Sequence, residues 1–228
     1  MPEGRTDAPR RARVARLAGL YALTPDLDDT AVLTAKVAAA LAGGASAIQY
    51  RNKSAPDALR REQARALARL CAVRGALFIV NDDVDIAREV DADGVHIGED
   101  DGGIARARAT LAPDRLIGIS CYNEWDRAQP AIDASADYVA FGSFFASATK
   151  PAAPRADPAL LVRAASLPVP VVAIGGITSA NATTLIDAGV AAVAVIGDVF
   201  AHDELPEIER AAAAIAALFA KPHSSERP

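Results

Sequence analysis

Residues 77–101, LFIVNDDVDIAREVDADGVHIGEDD, carry the reading on which the fold turns. The apolar run 77–80 reads as a buried strand, and it stops abruptly at Asn81-Asp82-Asp83. Val84, Ile86, Ala87 and Val90 then share one helical face, and 94–97 form a second strand that again ends in acid, Glu99-Asp100-Asp101. Two strands joined by one helix, each delivering carboxylates from the same end, make a βαβ unit with an acidic rim. Solvated loop acids are the plain reading of such a rim. Hard cations such as Mg²⁺ offer another, because they take few protein carboxylates and complete their shell with water and phosphate oxygens.

The same unit recurs outward from this stretch. Further apolar strands are expected at 20–23, 47–50, 116–120, 138–141, 169–174 (with Pro170 near its start) and 191–195. Helical spacing fills the intervals at 30–42, 54–74, 104–111, 124–134, 158–165, 178–188 and 205–219, with Pro130 weakening the fourth of these. Gly43-Gly44 and Gly75 are helix stops, Ser54 is placed to cap the second of these helices with Pro56 in its first turn, and Thr178-Ser179 to open the sixth. A weak internal repeat (GGASAIQY, DADGVHIG, SADYVAFG, DAGVAAVAVIG) marks the turns into alternate strands. Strands alternating regularly with helices argue for a parallel sheet. Eight such units favour closure into a (β/α)₈ TIM barrel over an open doubly wound sheet. No G-x-G-x-x-G follows the first strand, which removes the usual dinucleotide fingerprint.

Composition agrees with a single α/β domain. The chain has 228 residues, 51% hydrophobic but only 5% aromatic, so its core must be built from Ala, Val, Leu and Ile. A net charge of −5 argues against nucleic acid as a partner. Cys71 and Cys121 lack metal-ligand spacing and cannot make a disulfide framework, which points to a reducing, cytoplasmic setting. No apolar run approaches the ~20 residues that cross a bilayer, so no membrane partner is expected. Arg5, Arg10, Arg11, Arg13 and Arg16 crowd the start without a following apolar stretch, unlike a secretory signal. The expected layout is a basic, disordered tail over 1–18, a catalytic barrel over 19–220 and a short tail over 221–228. The Ala-rich helix 205–219 would lie on the barrel exterior, a candidate contact in a homo-oligomer.

Active sites of (β/α)₈ barrels are built from the loops at the carboxyl ends of the strands. Strand two delivers Gln49, Arg51 and Lys53, which alternate along an extended segment and therefore share a face. Strand three delivers Asn81 and Asp82, strand four His96 and Asp101, strand five Ser120, and the loop after strand six Ser147, Thr149 and Lys150. Gly175-Gly176 follow strand seven and Ile196-Gly197 follow strand eight, the two loops that often hold a phosphate through backbone N–H groups. Three cations beside two carboxylates suit a metal-bound polyphosphate, so two anionic sites imply two phosphorylated substrates. Salt bridges across the barrel mouth are the alternative.

At this point the residues carry a resemblance. QYRNK (49–53), VNDD (80–83), DGVHIGEDD (93–101), GIS (118–120), FGSFFASATKP (141–151) and VVAIGGI (171–177) are similar, in order, to the motifs of the thiamine-phosphate synthase family. Those barrel transferases join the pyrimidine and thiazole halves of thiamine. The resemblance implies that Gln49, Arg51, Lys53, Asn81, Ser120 and Lys150 hold the pyrimidine diphosphate, with Arg51, Lys53 and Lys150 catalytic. It implies Asp82 and Asp101 as Mg²⁺ ligands, and Ser147, Thr149, Gly176, Ile196 and Gly197 as the cradle of the thiazole phosphate. The implied reaction releases pyrophosphate and needs no general base, because the nucleophile is a neutral ring nitrogen.

The chain departs from the family pattern at Asp83, where a basic residue is common, at Glu99 for Gln, at Tyr122 for His, at Ser147 for Thr and at Gly197 for Ser. Two other readings use the same residues. A thiazole tautomerase would need a proton shuttle where this chain has Tyr122, and a non-catalytic sensor of phosphorylated thiamine intermediates would not need the metal pair. His96 reads as a packed, hydrogen-bonded residue and Cys121 as a small core residue.

Overall fold

The computed structural model describes residues 4–98, 103–146 and 154–220. Its strands are Gly19–Leu23 (β1), Ala45–Tyr50 (β2), Leu77–Asn81 (β3), Gly94–Ile97 (β4), Leu116–Tyr122 (β5), Tyr138–Gly142 (β6), Val171–Ile174 (β7) and Ala192–Val195 (β8). Each pairs in parallel with the next. β1 also pairs with β8, Gly19 opposite Ala192, so the expected barrel is closed. The helices are Gly4–Arg16 (α1), Thr30–Ala42 (α2), Asp57–Arg74 (α3), Val84–Glu89 (α4), Gly103–Thr110 (α5), Ala128–Asp133 (α6), Ala159–Ala164 (α7), Ala182–Asp187 (α8), Gly197–Phe200 (α9) and Leu205–Phe219 (α10). Among the described residues no helix is long and apolar enough to cross a membrane.

Local chemistry explains the boundaries. Asp29 caps α2 by accepting from the N–H groups of Ala31 (2.8 Å) and Val32 (2.9 Å). α2 ends at Gly43, where a β-carbon would stand 2.3 Å from the Glu209 carbonyl, so glycine lets α10 cross close by. Ile208, Ala212 and Ile215 of α10 are buried, and α2 is the neighbour it packs against most closely, so that apolar face is used within the chain. Two expected helix starts are corrected. Ser54 does not cap α3. Its hydroxyl bonds Asn52 Oδ1 (3.2 Å), because Asn52 is held by the Leu27 carbonyl and builds its own turn, and the helix begins at Asp57 after Pro56. Thr178 and Ser179 do not open α8 either. Asn181 accepts from Thr178 N (2.8 Å) and donates to the Gly176 carbonyl (3.0 Å), closing a turn that delays the helix to Ala182.

Strand alternation divides the apolar residues into two layers. Leu20, Ala22, Ile48, Phe78 and Val80 face the helices, while Tyr21, Leu23, Ala47, Leu77, Ile79, Tyr138, Ala140 and Val172 fill the barrel interior. The interior is therefore a packed core, as this architecture requires.

The basic amino-terminal segment departs from the expected disorder. Residues Gly4–Arg16 form α1, whose Val14 and the following Leu17 pack against the interior cluster from the amino end of the barrel. The arginines find carboxylates in the turns that precede the strands. Arg13 meets Asp93 (3.0 Å) and Asp114 (2.6 Å), Arg16 donates to the Gly75 carbonyl (2.9 Å), and Arg10 pairs with Asp137. Composition alone cannot show this, since the countercharges lie 80 to 127 residues away. The Asp of the repeat has a second use: Asp93 accepts from Phe78 N (3.0 Å) and Asp137 from Ile117 N (2.7 Å), tying each turn to the preceding strand.

Asp137 is the most committed of these carboxylates. Its side chain is 2% exposed and serves Arg10, Arg108 and Ile117 N together, while Arg108 Nε is buried without a hydrogen-bond partner. Removing the carboxylate leaves two half-buried guanidiniums without their countercharge and a buried N–H unmatched. Asp137→Ala is expected to lower the unfolding free energy by about 3–5 kcal/mol, measured by urea titration. Unchanged stability would show that the cluster is a surface decoration.

Candidate active site

The carboxyl ends of the strands open into a cavity of about 390 Å³. β2 supplies one wall. Gln49, Arg51 and Lys53 all line the cavity, while Tyr50 and Asn52 turn outward to Gln63 (2.9 and 3.1 Å), so the expected alternation persists past the end of the strand. Thr24, fully buried, holds this extension in place. Its N–H donates to Gln49 O (3.0 Å), its hydroxyl donates to Arg51 O (2.8 Å) and accepts from Arg51 N (2.8 Å). Sequence reasoning passed over Thr24, and equally Asp26, whose carboxylate meets Arg51 Nη1 (2.9 Å) and Lys53 N (3.3 Å).

Asn81 and Asp82 project from β3 and His96 from β4, and all three line the same cavity. Asp82 sits at φ +64, a left-handed conformation that Asp tolerates better than most residues, and its N–H is held by the His96 carbonyl at 2.8 Å. Its Oδ2 lies 3.6 Å from Lys53 Nζ. Asp83, one residue on, is used structurally: Oδ1 caps α4 through Ile86 N (2.9 Å) and Oδ2 meets Arg60 (3.2 Å). That explains why an acid is accommodated where the family often has a base.

Ser120 and Tyr122 of β5 complete this side. Tyr122, at φ +51, stands 38% exposed on the rim with the Arg127 guanidinium 5.1 Å from its ring centroid. Cys121 points the other way and is fully buried. Burial pushes its thiol up to about 12, so it stays protonated and belongs to the core, as its sequence context suggests.

Across the cavity lie the glycine loops. Gly176 has φ +63, and a β-carbon there would meet the Ala146 carbonyl at 2.2 Å, so conformation and space both demand glycine. Ile196 and Gly197 open α9, a single turn too short to be read from periodicity, and the space around a Gly197 β-carbon is open. Asp198 Oδ2 accepts from Ser179 N (2.9 Å), which ties the loop after β7 to the loop after β8. Both loops line the same cavity, on the far side of β1 from β2. Asp101, Ser147, Thr149 and Lys150, also expected in the site, lie outside the described residues.

A closed parallel barrel with a cavity at its strand ends, cationic on one wall and glycine-lined on the other, defines the class of (β/α)₈ barrels that take anionic small molecules in their βα loops. Within that class, the chain belongs to the thiamine monophosphate synthase family, whose sequence model matches residues 20–199. It is 54% identical over 203 residues to the thiamine-phosphate synthase of Thiobacillus denitrificans, covering 89% of this chain and 95% of that one. It is 53% identical over 206 residues to the thiamine-phosphate synthase of an Azoarcus species, covering 90% and 98%. Among solved structures, the thiamine phosphate pyrophosphorylase of Pyrococcus furiosus superposes with a TM-score of 0.79 at 34% identity, covering 91% of this chain and 98% of that one.

The two glycines make opposite predictions. Gly176→Ala should lower stability by about 2–4 kcal/mol, from left-handed strain plus overlap with backbone. Gly197→Ala should change it by no more than about 0.5 kcal/mol. Thermal unfolding of the two variants checks the contrast.

Proposed function

We propose that the protein is a thiamine-phosphate synthase. It would join 4-amino-2-methyl-5-(diphosphooxymethyl)pyrimidine to 4-methyl-5-(2-phosphooxyethyl)thiazole, releasing pyrophosphate; the carboxylated thiazole would in addition lose carbon dioxide and take up a proton at the carbon it leaves. The observation that carries this reading is the two-sided cavity: Arg51, Lys53 and Asp82 on one wall and the glycine loops at Gly176 and Gly197 on the other. The identity to synthases over nine-tenths of the chain supports it.

Arg51 and Lys53 would face the diphosphate, with Gln49, Asn81 and Ser120 around the pyrimidine and Lys150 joining from its loop. The ion pairs that now occupy the two cations are solvent-accessible, and such pairs contribute only about 0–1 kcal/mol each. A diphosphate can therefore replace Asp26 and Asp82 as their partner at little cost. The C–O bond between the pyrimidine methylene and the diphosphate breaks with its electron pair leaving on oxygen. The neutral thiazole nitrogen gives its lone pair to the methylene carbon, and no proton moves. The residues then have two tasks, stabilising the charge on the leaving group and aligning the nucleophile. The thiazole phosphate would rest on the loops at Gly176 and Ile196-Gly197, with Ser147 and Thr149 closing over it.

The donor set fits Mg²⁺ bound largely through substrate. Asp82 offers a hard oxygen ligand on the cavity wall, and among the described residues no group of three His, Cys, Asp or Glu side chains forms a protein cage. Asp82 would hold the ion, with Asp101 as the second ligand. When bound, Mg²⁺ supplies positive charge to the departing diphosphate oxygens.

Purified protein mixed with both phosphorylated halves and Mg²⁺ should yield thiamine phosphate and pyrophosphate in equal amounts. Asp82→Ala should remove the metal-dependent turnover. Absence of product with the wild-type protein would end the reading. Lys53→Ala tests the mechanism. If the cation acts mainly as the leaving group gains charge, kcat should fall by ~10²–10³ with a smaller change in the pyrimidine KM. A change in KM alone would mean uniform binding instead.

A further inference from the structure

Beneath the cavity, four polar groups from β1, β2, β4 and β6 meet inside the barrel. Gln49, 3% exposed, donates from Nε2 to the Tyr21 hydroxyl at 2.8 Å. That hydroxyl lies 3.0 Å from the hydroxyl of Tyr138, which in turn lies 3.2 Å from His96 Nδ1. The Tyr21 and Tyr138 rings meet edge-on, and His96 stacks on Tyr138 with centroids 5.6 Å apart. Space for this is reserved by Gly118, where a β-carbon would fall 1.9 Å from the Tyr138 ring. Both tyrosines are fully enclosed, and burial holds their phenols well above the ordinary value, so each keeps its proton.

Hydrogen-bond bookkeeping gives this chain a direction. An amide nitrogen can only donate, so the Tyr21 oxygen is an acceptor and its single proton must go elsewhere. Were Tyr138 also to donate to Tyr21, the Tyr21 proton would be left buried without an acceptor, which costs about 1–3 kcal/mol. With the Gln49 nitrogen on Tyr21, the arrangement that satisfies every group runs from Gln49 to Tyr21, Tyr138 and His96, with Nδ1 as the final acceptor; a proton on Nδ1 would instead run the relay in reverse and turn the amide round. The Gln49 amide can then turn over only if both hydroxyl protons and the imidazole tautomer turn with it. Its other end, Oε1, accepts no hydrogen bond from the described residues, and Gln49 lines the cavity.

We propose that Tyr21, Tyr138 and His96 are positioning residues that fix the Gln49 amide with its oxygen toward the cavity, so that the site selects a pyrimidine carrying an amino group over one carrying an oxo group. This rests on the synthase reading and adds the residues that set ring specificity. An amino group donates to the fixed oxygen, whereas an oxo oxygen would face it acceptor to acceptor. Tyr21 and Tyr138 do not reach the substrate. They act by coupling the orientation of Gln49 to the tautomer of His96.

The test compares the amino- and oxo-pyrimidine diphosphates as substrates of wild-type protein, Tyr21→Phe and Tyr138→Phe. Each substitution keeps the ring and breaks the relay. Both variants should lose at least about tenfold of the amino-over-oxo preference, the size of one neutral hydrogen bond, with an unchanged thiazole KM. Nitrogen NMR of wild-type His96 should show Nδ1 unprotonated, a readout independent of turnover and of whether either variant folds. A preference kept within twofold in the variants, or a proton on Nδ1, overturns the proposal. Wild-type protein inactive on both pyrimidines would instead refute the synthase reading, and the NMR result would still decide the relay.

Discussion

Closure of the sheet is the constraint on which everything else depends. Because β1 pairs with β8, every strand has two partners and every carboxyl end reaches one rim. Residues as distant in sequence as Gln49 and Gly197 are thereby held across a single cavity. Closure also creates an interior that must be filled. Tyr21 and Tyr138 fill it with large rings, and their hydroxyls must then find partners within the core. The polar floor beneath the cavity is a consequence of packing a barrel with tyrosine. The same demand at the opposite end is met by α1, which brings Leu17 against the interior and neutralises the acidic turns before β4, β5 and β6.

The site separates its charges by using both edges of the extended segment after β2. Odd-numbered residues present an amide and two cations to the cavity, and even-numbered ones anchor the segment to α3 through Gln63. Thr24 and Asp26 fix the geometry from the β1 side, so Arg51 is aimed before any ligand arrives. Such preorganisation would serve the proposed reaction, whose demand is the charge of a leaving group. The wall formed by the loops after β7 and β8 has no cation among its described residues lining the cavity, and in the proposed function its backbone at Gly176 and Gly197 would hold the second anion.

Much of this was legible in the sequence. Short apolar runs placed each strand to within a few residues, and α2 and α10 kept the expected bounds because amphipathic spacing marks both and Gly43 stops α2. The alternation of Gln49, Arg51 and Lys53 gave the cationic wall directly. Features fixed by distant partners were hidden. The arginines of α1 look like a tail until the carboxylates of Asp93, Asp114 and Asp137 are brought beside them, and α9 is one turn long. Ser54 and Thr178 carry the capping chemistry but are drawn into turns built by Asn52 and Asn181, whose amides can donate and accept at once. Tyr21 and Tyr138 did leave a signal, since a polar-tipped ring on the inward phase of two strands asks for an interior partner. Naming that partner requires the closed barrel.

The central claim is that two anions occupy separate walls of one cavity at the same time. Calorimetric titration of the thiazole phosphate into the protein, with and without saturating pyrophosphate and Mg²⁺, addresses it directly. The account predicts that the thiazole phosphate binds in both cases, with an affinity that pyrophosphate leaves unchanged or improves. An apparent Kd that climbs in proportion to pyrophosphate concentration would show that the two anions compete for a single site, and the two-walled account would be wrong.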